Sequence, residues 1–282
     1  MNDLVIEAGK TERRYWRDLW KYRELFYFLA WRDILVRYKQ TIVGIAWALF
    51  KPLISMLILT FVFGAIAQMD PGGVPYPILV IAAMLPWQFF AAAMSESGNS
   101  LVTNSSMISK VYFPRLVVPA SSVVTSLVDF CISAAILAVM MLFYRFMPGI
   151  EILALPLFVL LAFGAAFGVG VWISALMVRF RDFRIIVPFL VQFGLYVSPV
   201  GYSSNVVRQR LAESEALSEN LMLLYYLNPM ASVIDGFRWA LLGGEHTVHW
   251  AGMALSSIIV ILLVITGIRY FWKTERTFAD II

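Results

Sequence analysis

Apolar residues fall in six runs along the chain, at about 42–68, 77–94, 117–144, 152–178, 185–200 and 250–271, with polar or charged breaks between them. A hydrocarbon core ~30 Å thick asks for about 20 residues of apolar helix. The pattern therefore predicts an all-α polytopic membrane protein with six transmembrane helices. Lys51-Pro52 interrupts the first run near its start, and Pro86 is expected to kink or break the second. The fifth run is the exception in length: at ~1.5 Å per residue it covers about 24 Å. Pro188 lies near one end of it and Pro199 at the other. A helix this short is tolerated at membrane depth only where protein or a water-filled path covers its ends. It is read as a pore-lining helix, with the charged run Arg179, Arg181, Asp182, Arg184 as a handle before it.

The polar segments sort by the same logic. Residues 22–39 set Phe28, Trp31, Leu35 and Tyr38 on one helical face, yet Arg23, Arg32, Asp33, Arg37 and Lys39 make the stretch too polar to span. Basic and aromatic residues on opposed faces describe an amphipathic helix lying in the membrane interface. The chain thus divides into an N-terminal segment with that helix (1–40), a six-helix membrane domain (41–272) and a short tail (273–282). Between the fifth and sixth runs, Asn228 is a good helix N-cap and Pro229 suits the first turn, while Gly243-Gly244 ends the segment. Met230, Val233, Ile234, Phe237 and Leu241 form its apolar stripe. This helix is too short to cross and is expected to dip into the outer leaflet, paired with residues 217–227.

Charge fixes the expected orientation. Lys10, Arg13, Arg14, Arg17, Lys21, Arg23, Arg32, Arg37 and Lys39 precede the first run, Lys110 and Arg115 follow the second, and Arg269, Lys273 and Arg276 close the chain. With the arginines after the fourth run they lie on one side, leaving Arg145, Arg208, Arg210 and Arg238 on the other. By the positive-inside rule both termini are cytoplasmic. Composition agrees with the class: 61% of residues are hydrophobic and the mean hydropathy is +0.79. The single cysteine, Cys131, excludes a disulfide framework, and no removable signal peptide is expected at the charge-rich start.

Little in the sequence points to catalysis. No Gly-x-x-x-x-Gly-Lys-Ser/Thr phosphate loop is present, so nucleotide binding of that kind is excluded. His246 and His249, beside Glu245, are read as a solvated loop rather than a metal site. Glu96 and Asp129 are the acids closest to the apolar runs. Asp129 lies well inside the third run, where an ionisable group is either a transport residue or a structural partner of neighbouring serine or backbone groups. The abundant feature is aromatic. Trp47, Phe50, Ile54 and Phe61 share a face in the first run, and Phe189, Phe193 and Tyr196, followed by Tyr202, share one in the fifth. Such rings stack on the C–H faces of sugars, and equally pack against lipid or other helices. Finally, residues 95–115 are polar, yet carry Leu101, Val102, Met107, Ile108, Val111, Tyr112 and Phe113. A short helix pressed on a partner protein accounts for the mixture.

The order and spacing of Arg32-Asp-Ile-Leu-Val-Arg-Tyr-Lys-Gln-Thr-Ile-Val-Gly-Ile-Ala-Trp47, Lys110-Val-Tyr-Phe-Pro-Arg115, Arg181-Asp182 with Ser198-Pro199, and Asn228-Pro229-Met230 resemble the membrane subunit of bacterial ABC exporters of cell-surface polysaccharide. The resemblance covers about residues 22–272. It implies a permease of the bacterial inner membrane, a homodimer joined by two copies of a separate ATP-binding subunit that holds the ATP and Mg. The cargo would be a lipid-linked polymer such as O-antigen, capsule or teichoic acid, and membrane lipids would be the surroundings. Nucleic acid, a metal site, a cofactor and catalytic residues of its own are not implied. First and fifth spans would line the channel with Trp47, Phe50, Phe61, Phe189, Phe193, Tyr196 and Tyr202. A coupling helix at 95–108 and the arginine cluster would meet the ATPase through Glu96, Asn99, Leu101, Asn104, Met107, Lys110, Arg115, Arg179, Arg181, Asp182 and Arg184. Re-entrant outer helices would bring Tyr225, Tyr226, Asn228, Pro229 and Phe237 to an outer gate. Related exporters carry lipid or drug instead. A membrane-embedded transferase would need clustered acids or histidines, and a proton-coupled carrier has Asp129 as its only support.

Overall fold

The computed structural model describes residues 12–39, 42–212, 218–243 and 246–278; Lys10, Leu217, Gly244 and Glu245 lie outside these. Every element among them is helical. Helix α1 (Glu12–Lys21) leads into α2 (Arg23–Tyr38), which covers the stretch whose sequence reads as an amphipathic helix. Leu29 and Ala30 face the protein, whereas Tyr27, Phe28, Trp31 and Val36 are exposed. Helix α3 (Ile42–Leu59) runs directly into a π-helical stretch, Thr60–Ile66. Helix α4 (Tyr76–Thr103) is followed by the single turn α5 (Ser105–Ile108), then α6 (Val117–Phe143) and α7 (Leu155–Arg179). Helix α8 (Phe183–Val197) is the short apolar helix; α9 (Ser204–Ala212), α10 (Ser218–Tyr225) and α11 (Pro229–Leu242) follow, and α12 (Trp250–Glu275) closes the fold. Five of these helical stretches are long and apolar enough to cross a membrane: 49–66, Tyr76–Thr103, Val117–Phe143, 150–179 and Trp250–Glu275.

Helix α4 is the central post. Ile78, Leu79, Val80, Ile81, Ala82 and Ala83 are each at most 1% exposed, so the helix is enclosed on all faces, as befits one apolar all round. Pro86 is carried inside it without ending it. The helix also runs past the predicted boundary at Met94, through residues expected to form a loop. Their polar side chains bond back along their own helix: Asn99 Nδ2 to Ser95 O (3.0 Å), Ser100 Oγ to Ser97 O (2.7 Å) and Asn104 Nδ2 to Ser100 O (2.9 Å). Polarity that satisfies itself does not break a helix. The segment expected as a separate coupling helix is therefore the end of α4 plus the one turn of α5.

Small residues set the closest helix crossings. On α7, Gly164 and Gly168 lie four apart, the spacing that lets helix backbones touch. A Cβ at Gly168 would stand 2.8 Å from the Val264 nitrogen, and one at Gly267 would stand 2.7 Å from the Gly168 carbonyl, so α7 and α12 meet backbone to backbone. Ile173 and Met177 of α7 close on Gly98 of α4. The ends of α4 and α7 thus emerge at the same end of the bundle. Tyr15 of α1 stacks edge-on against Trp272 of α12 (5.1 Å) there, and Glu275 accepts from the Arg115 amide (2.8 Å). This end collects both termini of the described chain, and α9–α11 cap the other.

Candidate functional site

Helices α3 and α8 are the least enclosed long elements. Trp47, Phe50, Phe61, Phe189, Phe193 and Tyr196 are all between 57% and 64% exposed, so the two aromatic faces expected from the sequence stand open on the surface of the chain. Phe189 and Phe193 stack at 6.0 Å. Tyr202 is half-buried, with its hydroxyl on the carbonyls of Tyr196 (3.4 Å) and Val197 (3.3 Å) and its ring tilted 6.4 Å from Phe63. Helix α8 sits against the core where Gly194 meets Trp87; a Cβ there would come within 2.6 Å of the indole. Where α3 passes into the π-helical stretch, Leu57, Thr60, Phe61, Gly64 and Tyr76 line an open groove of about 680 Å³.

The end of α8 is fixed by α11. Asn228 caps α11 by accepting from the Met230 amide (3.1 Å), as its position predicts, and Gly243 ends the helix at φ +57°. Asn228 also donates to Ser198 Oγ (2.8 Å). Arg238, 1% exposed, donates to the carbonyls of Tyr202 (2.7 Å), Val200 (3.0 Å) and Leu79 (3.4 Å), while Tyr76 Oη donates to Gly201 O (2.8 Å). The Ser198–Tyr202 turn is thereby bound at four of its five residues, all but Pro199. One helical turn before Arg238, Asp235 accepts from Ser204 Oγ (2.6 Å) and Tyr226 Oη (2.8 Å). Burial pushes the Asp235 carboxyl above its usual range and lowers Arg238 to about 10, which leaves the guanidinium charged near neutral pH.

Several expectations change here. Arg238 is a buried pin, not a charge in an outer loop. Tyr226 and Phe237, expected at an outer gate, are 1% and 0% exposed and belong to the core; Tyr225, Asn228 and Pro229 remain half-buried. The histidines are not solvated. His246 is 5% exposed, and burial, then the Arg238 charge, push its imidazole down to about 4. His249 Nδ1 caps α12 by accepting from the Gly252 amide (2.9 Å), and its ring stacks on Tyr226 at 5.1 Å. Among the described residues no group of His, Cys, Asp and Glu is arranged to hold a metal.

At the opposite end the candidate coupling residues separate into two groups. Asn99, Lys110, Arg179, Arg181, Asp182 and Arg184 are exposed, and Met107 is half-buried. Leu101 is 0% exposed, packed in a cluster with Leu29, Ile108, Phe113 and Phe271, so it holds the chain together and faces no partner. Asn104 accepts from Arg32 (2.8 Å), and Arg115 is tied to Glu275. Glu96 accepts from Arg37 and from Ser126 Oγ (3.1 Å). Asp129 pairs with Arg37 (3.1 Å) and accepts from Tyr38. Its partners are the guanidinium and phenol of α2 rather than a neighbouring serine.

Arg238, Asp235 and Arg37 were not singled out as functional from the sequence. A signal existed for the first two: an acid and a base three apart share a helix face, and Arg238 stands next to Phe237 in the apolar stripe.

Long apolar helices around an enclosed post are the architecture of a multi-pass membrane protein. Residues 24–242 match the family described as ABC-2 type transporter, and the chain belongs to that family of membrane subunits. It is 26% identical over 261 residues to the O-antigen export system permease protein RfbA of Klebsiella pneumoniae, across 92% of this chain and 95% of that protein. A permease of the same name from Myxococcus xanthus is 27% identical over 250 residues, 88% of this chain and 91% of that one.

Proposed function

We propose that the chain is the channel subunit of an ATP-driven exporter that moves a lipid-linked polysaccharide across the bacterial inner membrane. Two copies form the conduit and two copies of a separate ATP-binding subunit drive it. The observation that carries this reading is the pair of open aromatic faces on α3 and α8, in a chain whose relatives are O-antigen export permeases. Rings of this kind grip sugars without demanding charge, which suits a polymer that must slide.

Helix α8 serves as the sixth crossing, shortened because the Ser198–Tyr202 turn continues the path under the cap of α9–α11. Both termini lie in the cytoplasm, where the basic residues collect. Asn99, Met107, Lys110 and the run Arg179, Arg181, Asp182, Arg184 are the footholds for the ATP-binding subunit. ATP and Mg bind there, not in this chain.

Reconstitution tests the assignment. Vesicles holding the chain with its ATP-binding subunit should move lipid-linked polymer across the bilayer when ATP is added. Vesicles holding the chain alone should move none. ATP-independent accumulation by the chain alone would contradict the proposal.

A further inference from the structure

We propose that Arg37 is a positioning residue for transport: it binds the interfacial helix to α4 and α6 together, so that displacement of α4's inner extension is passed on to both. The proposal rests on the exporter function above and assigns the element that carries motion from the ATPase footholds to the membrane helices.

The geometry is that of a splint. Helix α2 is tied to α4 at two places, Arg32 to Asn104 at 2.8 Å and Arg37 to Glu96. The tie points are five residues apart on α2 and eight on α4, about 7.5 Å and 12 Å along their axes, and they run in opposite senses. Helix α2 packs along α6 and reaches the part of α4 that projects toward α5 through these two long side chains. Leu29 of α2 belongs to the same buried cluster as Leu101 and Ile108. The second link starts at the same guanidinium. Arg37 Nη1 lies 3.2 Å from Glu96 Oε2 and 3.1 Å from Asp129 Oδ2. Tyr38 adds its hydroxyl to Asp129, and Ser126 of α6 donates to Glu96. Two carboxylates on different helices thus share one planar fork, a geometry that arginine meets and lysine's point charge does not. Drawing either acid away would leave a charge at the membrane with fewer partners, at a cost that favours moving the three helices as one. Glu96 faces inward on this network, which is why its use is transmission rather than contact with the ATPase.

The complex with its ATP-binding subunit is the material for the test, and the quantity read is polymer exported per ATP hydrolysed. Arg37→Gln should leave subunit association and ATP hydrolysis within about twofold of the unaltered complex, while export per ATP falls at least about tenfold, a difference of ~1.4 kcal/mol or more in coupling. Arg37→Lys should recover part of that loss because it keeps the charge. Asp129→Asn should uncouple in the same manner. The double variant Arg37→Gln with Asp129→Asn should be no worse than either alone, since both break one network. Should Arg37→Gln fail to accumulate, Asp129→Asn and Arg37→Lys supply the same ratio. Unchanged export per ATP in these variants overturns the proposal. So does a parallel fall of association, hydrolysis and export, which is what a purely structural role predicts. No ATP-dependent export by the unaltered complex would instead contradict the exporter function.

Discussion

Arg238→Met should loosen the α9–α11 cap and the Ser198–Tyr202 turn more than any other single side-chain change. The guanidinium is 1% exposed and satisfies carbonyls from two separate parts of the chain, Leu79 in α4 and Val200 with Tyr202 after α8. Methionine fills much of the volume and donates nothing. Hydrogen bonds from a charged donor contribute ~1.5–3 kcal/mol each, and removing one member of a buried charged arrangement costs roughly 3–5 kcal/mol. Asp235 would also lose the nearby cation that favours its ionised form. Thermal unfolding of the detergent-solubilised chain should show that loss, and protease should cut between residues 198 and 212 before the rest of the chain yields. Arg238→Lys should fall between the two, since one ammonium does not reach all three carbonyls. A melting profile for Arg238→Met that overlays the parent would show that the turn is held by Asn228 and Tyr76 alone.

Gly168→Leu should abolish accumulation of folded protein. A Cβ at that position stands 2.8 Å from the Val264 nitrogen and 2.9 Å from the Leu263 carbonyl carbon. Those are backbone atoms of a helix and do not give way. Overpacking costs ~1–3 kcal/mol even where side chains can shift, so a backbone obstruction forces α12 off α7 instead. The instructive comparison is Gly98→Ala, whose Cβ meets Ile173 Cγ2 at 2.8 Å and the end of Met177 at 3.3 Å; these flexible side chains can move, and the effect should be mild. Size-exclusion chromatography of the solubilised variants reads both. A monodisperse Gly168→Leu peak at parental yield would mean that the two helices do not touch at Gly168.

The outline of the fold was legible because lipid solubility writes itself into long apolar runs, and because Asn228-Pro229 and Gly243 mark a helix by capping chemistry. The end of α4 was not legible. Ser95–Thr103 looks like a loop by polarity, yet its Asn99, Ser100 and Asn104 side chains are satisfied on its own carbonyls while Gly98 and Leu101 pack into the protein. The open aromatic faces could be read from periodicity, since α3 and α8 each concentrate rings on one side. The arginine pins could not. Arg37 and Arg238 resemble ordinary membrane-flanking charges until Glu96 and Asp129 in one case, and three carbonyls in the other, are brought to them from 36 to 159 positions away in sequence. The histidine loop failed for the same reason: nothing local announces that His249 will cap α12 or that His246 will be enclosed.

The central claim is that polymer passes along the open face of α8. A photo-crosslinking residue placed at position 193, in the complete complex supplied with lipid-linked polysaccharide, tests it most directly. The account predicts a crosslink to polymer that appears with ATP and is lost when the ATP-binding subunit cannot hydrolyse it, while the same probe at Cys131, exposed on α6, labels lipid only. A crosslink from position 193 to lipid alone, under conditions where export is running, would contradict it.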